Sequence, residues 1–211
     1  MKTFIFDLDN TLYSGGLEVF PLIDARINNY MSSRLNIPEQ EVDELRRRYW
    51  RLYGLTMQGL MRHHGADPED FLSYVHNLDL RPYLQPDPEL RKVLAHIDVP
   101  RVIFTNATRE HALSVLEILE LQDLFERIFD IRTVSYLPKP RKEPYLSLLH
   151  SLNMSGPDCV MVDDLPVNLK TAKELGMHTV LIGESNDDAY IDCCVPEVRS
   201  ILEAMQSLKR W

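Results

Sequence analysis

Short apolar runs recur along the chain and alternate with stretches whose apolar positions repeat at helical spacing. The first run is Thr-Phe-Ile-Phe at residues 3–6, and others follow at 102–105, 128–131, 159–162 and 179–182. Each is short and rich in Val, Ile or Phe, which predicts strands buried in a parallel sheet. Helices are predicted between them, over 88–97, 110–121, 144–152 and 168–175, with a terminal one over 197–208. In 110–121, Leu113, Leu116 and Leu119 or Leu121 share a face, as do Tyr145, Leu148, Leu149 and Leu152 in 144–152. Gly176 follows the fourth helix as a natural stop. Strands alternating with helices imply an α/β fold with a doubly wound parallel sheet and right-handed crossovers.

One interval breaks the alternation. Residues 15–83 carry helical patterns only, over 20–35, 38–53, 56–64 and 68–78. This predicts an all-helical cap domain over 15–83, inserted after the first strand of a core domain made of 1–14 and 84–211. The return segment 81–88, RPYLQPDP, holds three prolines, which disfavour regular structure. With Gly15-Gly16 it is the expected hinge of a mobile lid that controls water access.

Composition narrows the possibilities. A chain of 211 residues can bury a substantial core without disulfides or a structural metal. The hydrophobic share of 45% and charged share of 26% are those of a soluble globular protein. A formal net charge of -9 argues against a nucleic-acid polymer as partner and leaves a small anionic metabolite open. The three cysteines are Cys159, in an apolar run, and the adjacent Cys193 and Cys194. With no CxxC pair, this argues against a disulfide framework or zinc site and for a reducing compartment. The opening MKTFIFDLDNT has too short an apolar run for a signal peptide, and no stretch approaches a membrane span. The expected location is therefore the cytoplasm, with no membrane partner.

Candidate chemistry lies where the predicted strands end. Asp7-Leu8-Asp9-Asn10-Thr11 follows the first strand directly. That places two carboxylates at the sheet edge where ligands bind in open α/β folds. Converging carboxylates repel unless a cation lies between them, and a hard ion such as Mg²⁺ suits oxygen ligands. After the second strand come Thr105 and Asn106. Thr105 reads as a phosphate-binding hydroxyl beside helix N–H groups, or one of the two reads as an N-cap. Lys139 precedes a predicted helix and reads as a fixed positive charge or as a solvated lysine. Lys142 competes for the role, and spacing to Tyr145 favours Lys139. The fourth strand ends in Asp163-Asp164, costly if buried unpaired, which points to a metal or cationic partner.

In this order, strand–DxDxT, strand–Thr, Lys and strand–Asp-Asp, the sequence resembles the haloacid dehalogenase-like superfamily over essentially its whole length. Tyr53-Gly54-Leu55-Thr56, Gly59-Leu60, Arg62-His63-His64, and Phe104-Thr105-Asn106-Ala107 followed by His111-Ala112 resemble its pyrimidine 5'-nucleotidase group. The resemblance implies that Asp7 attacks phosphorus to form an aspartyl-phosphate and that Asp9 acts as general acid and then base. It implies Mg²⁺ held by Asp7, the Asp9 carbonyl and Asp164, with Asp163 a direct or water-mediated ligand. Thr105, Asn106 and Lys139 would hold the phosphoryl group. Asn168 stands where many members carry a further carboxylate, which leaves open which of Asp163 and Asp164 touches the metal.

The expected function is hydrolysis of a phosphomonoester, a pyrimidine nucleoside 5'-monophosphate first. A sugar-phosphate or other small-metabolite phosphatase, a phosphomutase and a non-catalytic binding protein are the alternatives. Asp9 argues against a dehalogenase of the same fold, and the first-strand motif against a response-regulator receiver. His64 is a candidate substrate contact, whereas His63 and His111 read as surface or packing. Arg46-Arg47-Arg48 alternates with Glu41, Asp43 and Glu44 on a predicted helix and reads as a solvated face. Tyr49, Tyr53 and Met57 read as core of the helical domain, with base stacking as the alternative.

Overall fold

The computed structural model describes residues 3–14, 19–184 and 187–208. Its contacts divide the chain into two compact units, Met1–Ser14 with Leu84–Trp211, and Gly15–Tyr83.

The first unit is built on a six-stranded, wholly parallel sheet in the order β3-β2-β1-β4-β5-β6. The strands are β1 Thr3–Phe6, β2 Arg101–Phe104, β3 Arg127–Phe129, β4 Cys159–Asp163, β5 His178–Ile182 and β6 Cys193–Val195. Every residue of β1 and β4 is buried, as expected for central strands covered on both faces. After β1 the chain builds outward through β2 and β3, then crosses back to place β4 on the other side of β1. The crevice above β1 and β4 is thus the topological switch point, where open α/β sheets take ligands. Register sharpens this: Phe6 lies opposite Val162, so Asp7 and Asp163 leave the sheet side by side.

The helical unit holds α1 Val19–Ser33, α2 Glu39–Tyr53, α3 Thr56–His64 and α4 Pro68–Val75. Left-handed Gly54 and Gly65 end α2 and α3. Gly59 lets α3 approach α2 closely, since a Cβ there would meet the Tyr49 ring at 2.1 Å. The Gly15-Gly16 hinge expectation falls outside the described residues.

The core unit's helices are α5 Pro88–Ala95, α6 Arg109–Ile118, α7 Lys142–Leu152, α8 Pro166–Glu174 and α9 Ile201–Leu208. The start of α5 follows local rules: Asp87 caps the Leu90 N–H at 2.9 Å, and Pro88 opens the helix. At the end of α8, Gly176 at φ +82° donates to Lys173 and Met177 to Ala172, a Schellman stop. The terminal helix begins later than the sequence pattern suggests, after a 3-10 turn at Val198–Ser200. The edge strand β6 has no counterpart among the apolar runs read from the sequence. Among the described residues, no helix is long and apolar enough to cross a membrane.

Candidate active site

Three carboxylates meet above the switch point. Beyond Phe6 the chain stays paired for one more residue, the Asp7 N–H donating to the Val162 carbonyl at 2.9 Å. It then turns sharply: Thr11 and Leu12 both donate to the Leu8 carbonyl, and Asn10 takes φ +64°, a conformation Asn tolerates better than most residues. Leu8 and Leu12 are buried, so the turn is anchored in the core while Asp7 faces the crevice. Its Oδ1 accepts from Lys139 Nζ at 2.6 Å and its Oδ2 from the Thr11 hydroxyl at 3.2 Å. Asp163, at the end of β4, accepts from the same Lys139 Nζ at 2.9 Å, from the Leu165 N–H and from the Asn168 amide through both oxygens. The next residue, Asp164, is less buried and accepts from Asn10 Nδ2 at 2.7 Å.

Lys139 reaches this point because the segment between β3 and α7 is held at several places. The Asn106 amide spans its backbone, Oδ1 accepting the Lys139 N–H at 2.8 Å and Nδ2 donating to the Lys139 carbonyl at 3.2 Å. On the far side the Thr171 hydroxyl donates to the Pro140 carbonyl at 2.7 Å. Lys139 is only 2% exposed and lies 5.3 Å over the Phe104 ring, whereas Lys142 is exposed. The reading of Lys139 as a solvated lysine is therefore wrong. The amide of Asn106, a candidate for holding the phosphoryl group, is hydrogen-bonded to the Lys139 backbone. Thr105 is buried and its hydroxyl accepts the Ala107 N–H at 2.9 Å. The N-cap of α6 is Thr108, whose hydroxyl accepts the His111 N–H.

The charges do not balance within the cluster. Burial pushes the Asp7 carboxyl up to about 8; Lys139 opposes the rise, and Asp163 and Asp164 add to it. Burial also raises Asp164, against the Asn10 hydrogen bond. For Lys139, burial lowers the ammonium, but the charges of Asp163 and Asp7 outweigh it and the net shift is upward. Three carboxylates against one ammonium leave two negative charges uncompensated when all are ionised. Ligand oxygens of Asp7, Asp163 and Asp164 lie within 4.8 Å of one another. An all-oxygen donor set with that excess charge fits one hard divalent cation.

The sequence model of the haloacid dehalogenase-like hydrolases matches residues 1–176. The chain belongs to this hydrolase family. A relative, phosphate metabolism protein 8 of Saccharomyces cerevisiae, is 29% identical over 201 residues, 85% of this chain and 61% of the yeast protein. The chain thus spans about three fifths of that relative's length. The glyceraldehyde 3-phosphate phosphatase of Methanocaldococcus jannaschii is 23% identical over 230 residues, covering 100% of this chain and 99% of its own. Among solved structures, a 2-haloacid dehalogenase from Pseudomonas syringae pv. Tomato superposes with a TM-score of 0.63 at 19% identity, covering 100% of this chain and 99% of that one. At that identity the likeness concerns the fold alone.

Two residues beside the candidate site, Tyr13 and His111, were not among the candidate site residues read from the sequence. The Asp9 Oδ1 accepts from the Tyr13 hydroxyl at 2.5 Å and lies 2.7 Å from His111 Nε2. His111, read as surface or packing, is buried and bound to a candidate catalytic carboxylate. Tyr13 had a faint signal, four residues after Asp9; His111 had its place in the nucleotidase resemblance, which gave it no role.

Within the helical unit, His64 is exposed and its Nε2 lies 3.0 Å from the Tyr49 hydroxyl. Of the residues of the nucleotidase resemblance, Tyr53, Arg62, His63 and His64 lie close together in this unit, whereas 104–107, His111 and Ala112 belong to the core unit. Tyr53 bonds His63 at 2.8 Å, His63 stacks on Tyr49 at 5.4 Å, and the Arg62 guanidinium lies 5.0 Å over the Tyr53 ring. Tyr49 and Met57 are buried, as core residues of this unit.

Proposed function

We infer that the chain is a Mg²⁺-dependent phosphomonoesterase that carries the phosphoryl group on Asp7, with pyrimidine nucleoside 5'-monophosphates as its substrate class. The supporting observation is the convergence of Asp7, Asp163 and Asp164, with the Lys139 ammonium bridging the first two. Phosphoryl transfer asks mainly for positioning and charge neutralisation, and this cluster is suited to both.

Asp7 attacks phosphorus with a carboxylate oxygen. The ester P–O bond breaks, its electron pair goes to the leaving oxygen, and Asp9 supplies the proton. Water then attacks the aspartyl-phosphate, Asp9 takes the water's proton, phosphate departs and the Asp7 carboxylate is restored. Lys139 holds a fixed positive charge beside the nucleophile. The Thr105 hydroxyl, already accepting the Ala107 N–H, has its proton to donate to a phosphoryl oxygen. Asn106 contributes by holding Lys139, which differs from the direct phosphate contact expected from the sequence. Asp7, Asp164 and the Asp9 carbonyl would hold the metal, with Asp163 occupied by Lys139, Asn168 and the Leu165 N–H. When bound, Mg²⁺ supplies positive charge to the phosphoryl oxygens and keeps the crowded carboxylates ionised.

The pyrimidine nucleotide class is supported by the resemblance through Tyr53, Arg62, His63 and His64, which the structure gathers on α2 and α3. A second reading, a triose-phosphate or other sugar-phosphate phosphatase, is favoured by the full-length likeness to the Methanocaldococcus jannaschii enzyme. Catalytic efficiencies on pyrimidine and purine nucleoside monophosphates and on glyceraldehyde 3-phosphate, with Mg²⁺ and with EDTA, separate the two. Preference for uridine and cytidine monophosphates supports the nucleotidase reading, and equal or better use of the sugar phosphate removes it. No Mg²⁺-dependent phosphate release from any of these esters would overturn the phosphatase reading itself.

A further inference from the structure

Helix α2 carries its charges in two blocks, Glu39, Glu41, Asp43 and Glu44 first, then Arg46, Arg47, Arg48 and Arg51. Part of this charge is engaged within the helical unit: Arg46 pairs with Asp24 and Asp43, and Arg47 with Asp43. Four others, Glu41, Glu44, Arg48 and Arg51, recur at intervals of three, four and three residues, which a helix places in one stripe. All four are exposed, and among the described residues none of their side chains has a hydrogen bond or an ion pair. Two local devices fail to account for the stripe. The helix dipole favours acids at the start and bases at the end, but it acts only within the first and last turns, and Glu44 and Arg48 lie between them. Glu44 and Arg48 also stand four residues apart, the spacing of an intrahelical pair, and do not pair. Along one side the stripe is bordered by Leu52, 59% exposed, and by half-buried Leu45.

We propose that this face docks a second copy of the chain, the two α2 helices lying antiparallel about a twofold axis near Arg46. A stripe that reads Glu, Glu, Arg, Arg is complementary to itself only when reversed. In that arrangement Glu44 faces the second copy's Arg48 and Glu41 faces the second copy's Arg51, and the symmetry repeats both pairs. A parallel pairing sets like charges opposite and is repelled. Leu52 comes to lie beside the second copy's Gln40 and gives up part of its exposure to water. The face is about 22 Å long and about 10 Å wide. That falls short of the ~800 Å² per partner of a standard complex, so the dimer is weak and depends on concentration. Every residue it uses belongs to the helical unit, and none belongs to the carboxylate cluster.

Sedimentation velocity of the full chain over a concentration series reads the assembly. The parent is expected to shift from monomer to dimer as its concentration rises. Arg48→Glu with Arg51→Glu makes the stripe wholly acidic, and Glu41→Arg with Glu44→Arg makes it wholly basic. Each double variant is expected to weaken association at least about ten-fold, although the first raises the overall negative charge and the second lowers it. Equal amounts of the two double variants should form a dimer of mixed composition. The variant with all four changes, whose net charge equals that of the parent, should again associate with itself. A parent that stays monomeric throughout, leaving the face to an acidic protein segment or to solvent, would overturn the proposal. So would a dimer that survives both double variants, a mixture that stays monomeric, or a fourfold variant that does not self-associate.

Discussion

Asn106→Ala separates two roles for one side chain. The structure has Asn106 spanning the Lys139 backbone through hydrogen bonds of 2.8 and 3.2 Å, in a partly buried setting. A net hydrogen bond contributes about 1 kcal/mol, and a backbone group stranded by truncation costs up to about 3 kcal/mol. The variant should therefore lose about 1–3 kcal/mol of stability in urea unfolding, at an unchanged m-value. The Lys139 segment retains the Thr171 hydroxyl on the Pro140 carbonyl, so the loop is loosened rather than released. Displacing the Lys139 ammonium by even a fraction of its 2.6 Å contact with Asp7 weakens charge neutralisation during transfer. The expected kinetic result is a fall in kcat of about 10–100-fold, since mispositioning acts on the reacting geometry, with KM changed less than three-fold. Asn106→Asp retains the acceptor for the Lys139 N–H and should lose less stability. A large rise in KM with kcat and stability intact would refute the reasoning and return Asn106 to direct contact with the phosphoryl group.

Other consequences follow from the same cluster and fold. Lys139→Met removes the ammonium between two buried carboxylates, and it should cost about 3–5 kcal/mol in chemical unfolding and about 10²–10³-fold in kcat. Without divalent cation, folded Asp7 holds its proton up to about 8, against ~3.9 when unfolded. The folded state then binds more protons than the unfolded one across that window, so this group makes stability fall as pH rises, by at most ~1.4 kcal/mol per unit. Urea unfolding between pH 5.5 and 8 should show that slope flatten when Mg²⁺ is added; identical slopes would count against a cation at the cluster. Gly156→Ala places a Cβ at 1.8 Å from the Leu175 carbonyl oxygen, so the Tm should drop by an amount corresponding to about 1–3 kcal/mol.

The sheet was legible where its strands are central. The runs around β1 and β4 are buried on both faces, and burial on both sides is what makes a run continuously apolar. The strand β6, Cys193–Val195, escaped because three residues on a sheet edge, two of them half-buried, carry too little pattern to stand out. Helix ends drifted by a few residues: the reading over 68–78 shortens to Pro68–Val75, because Leu78 keeps the helical spacing from Val75 although the helix has already ended. In the site, the sequence placed acidic groups at the ends of β1 and β4 without separating Asp163 from Asp164. Their difference is made in three dimensions, by Lys139 and Asn168 reaching Asp163 and by Asn10 reaching Asp164. The link between His111 and Asp9 spans 102 residues, and nothing in the spacing of either reports it.

Asp7 as the bearer of the phosphoryl group is the central claim, and it can be read by chemical trapping. An acyl phosphate is reduced by borohydride to an alcohol, so quenching the enzyme during turnover of para-nitrophenyl phosphate with Mg²⁺ should leave homoserine at position 7, seen by mass spectrometry of the peptide. Asp7→Asn should yield neither the reduced residue nor turnover. Reduction at a different residue, or steady turnover with position 7 unmodified, would contradict the account.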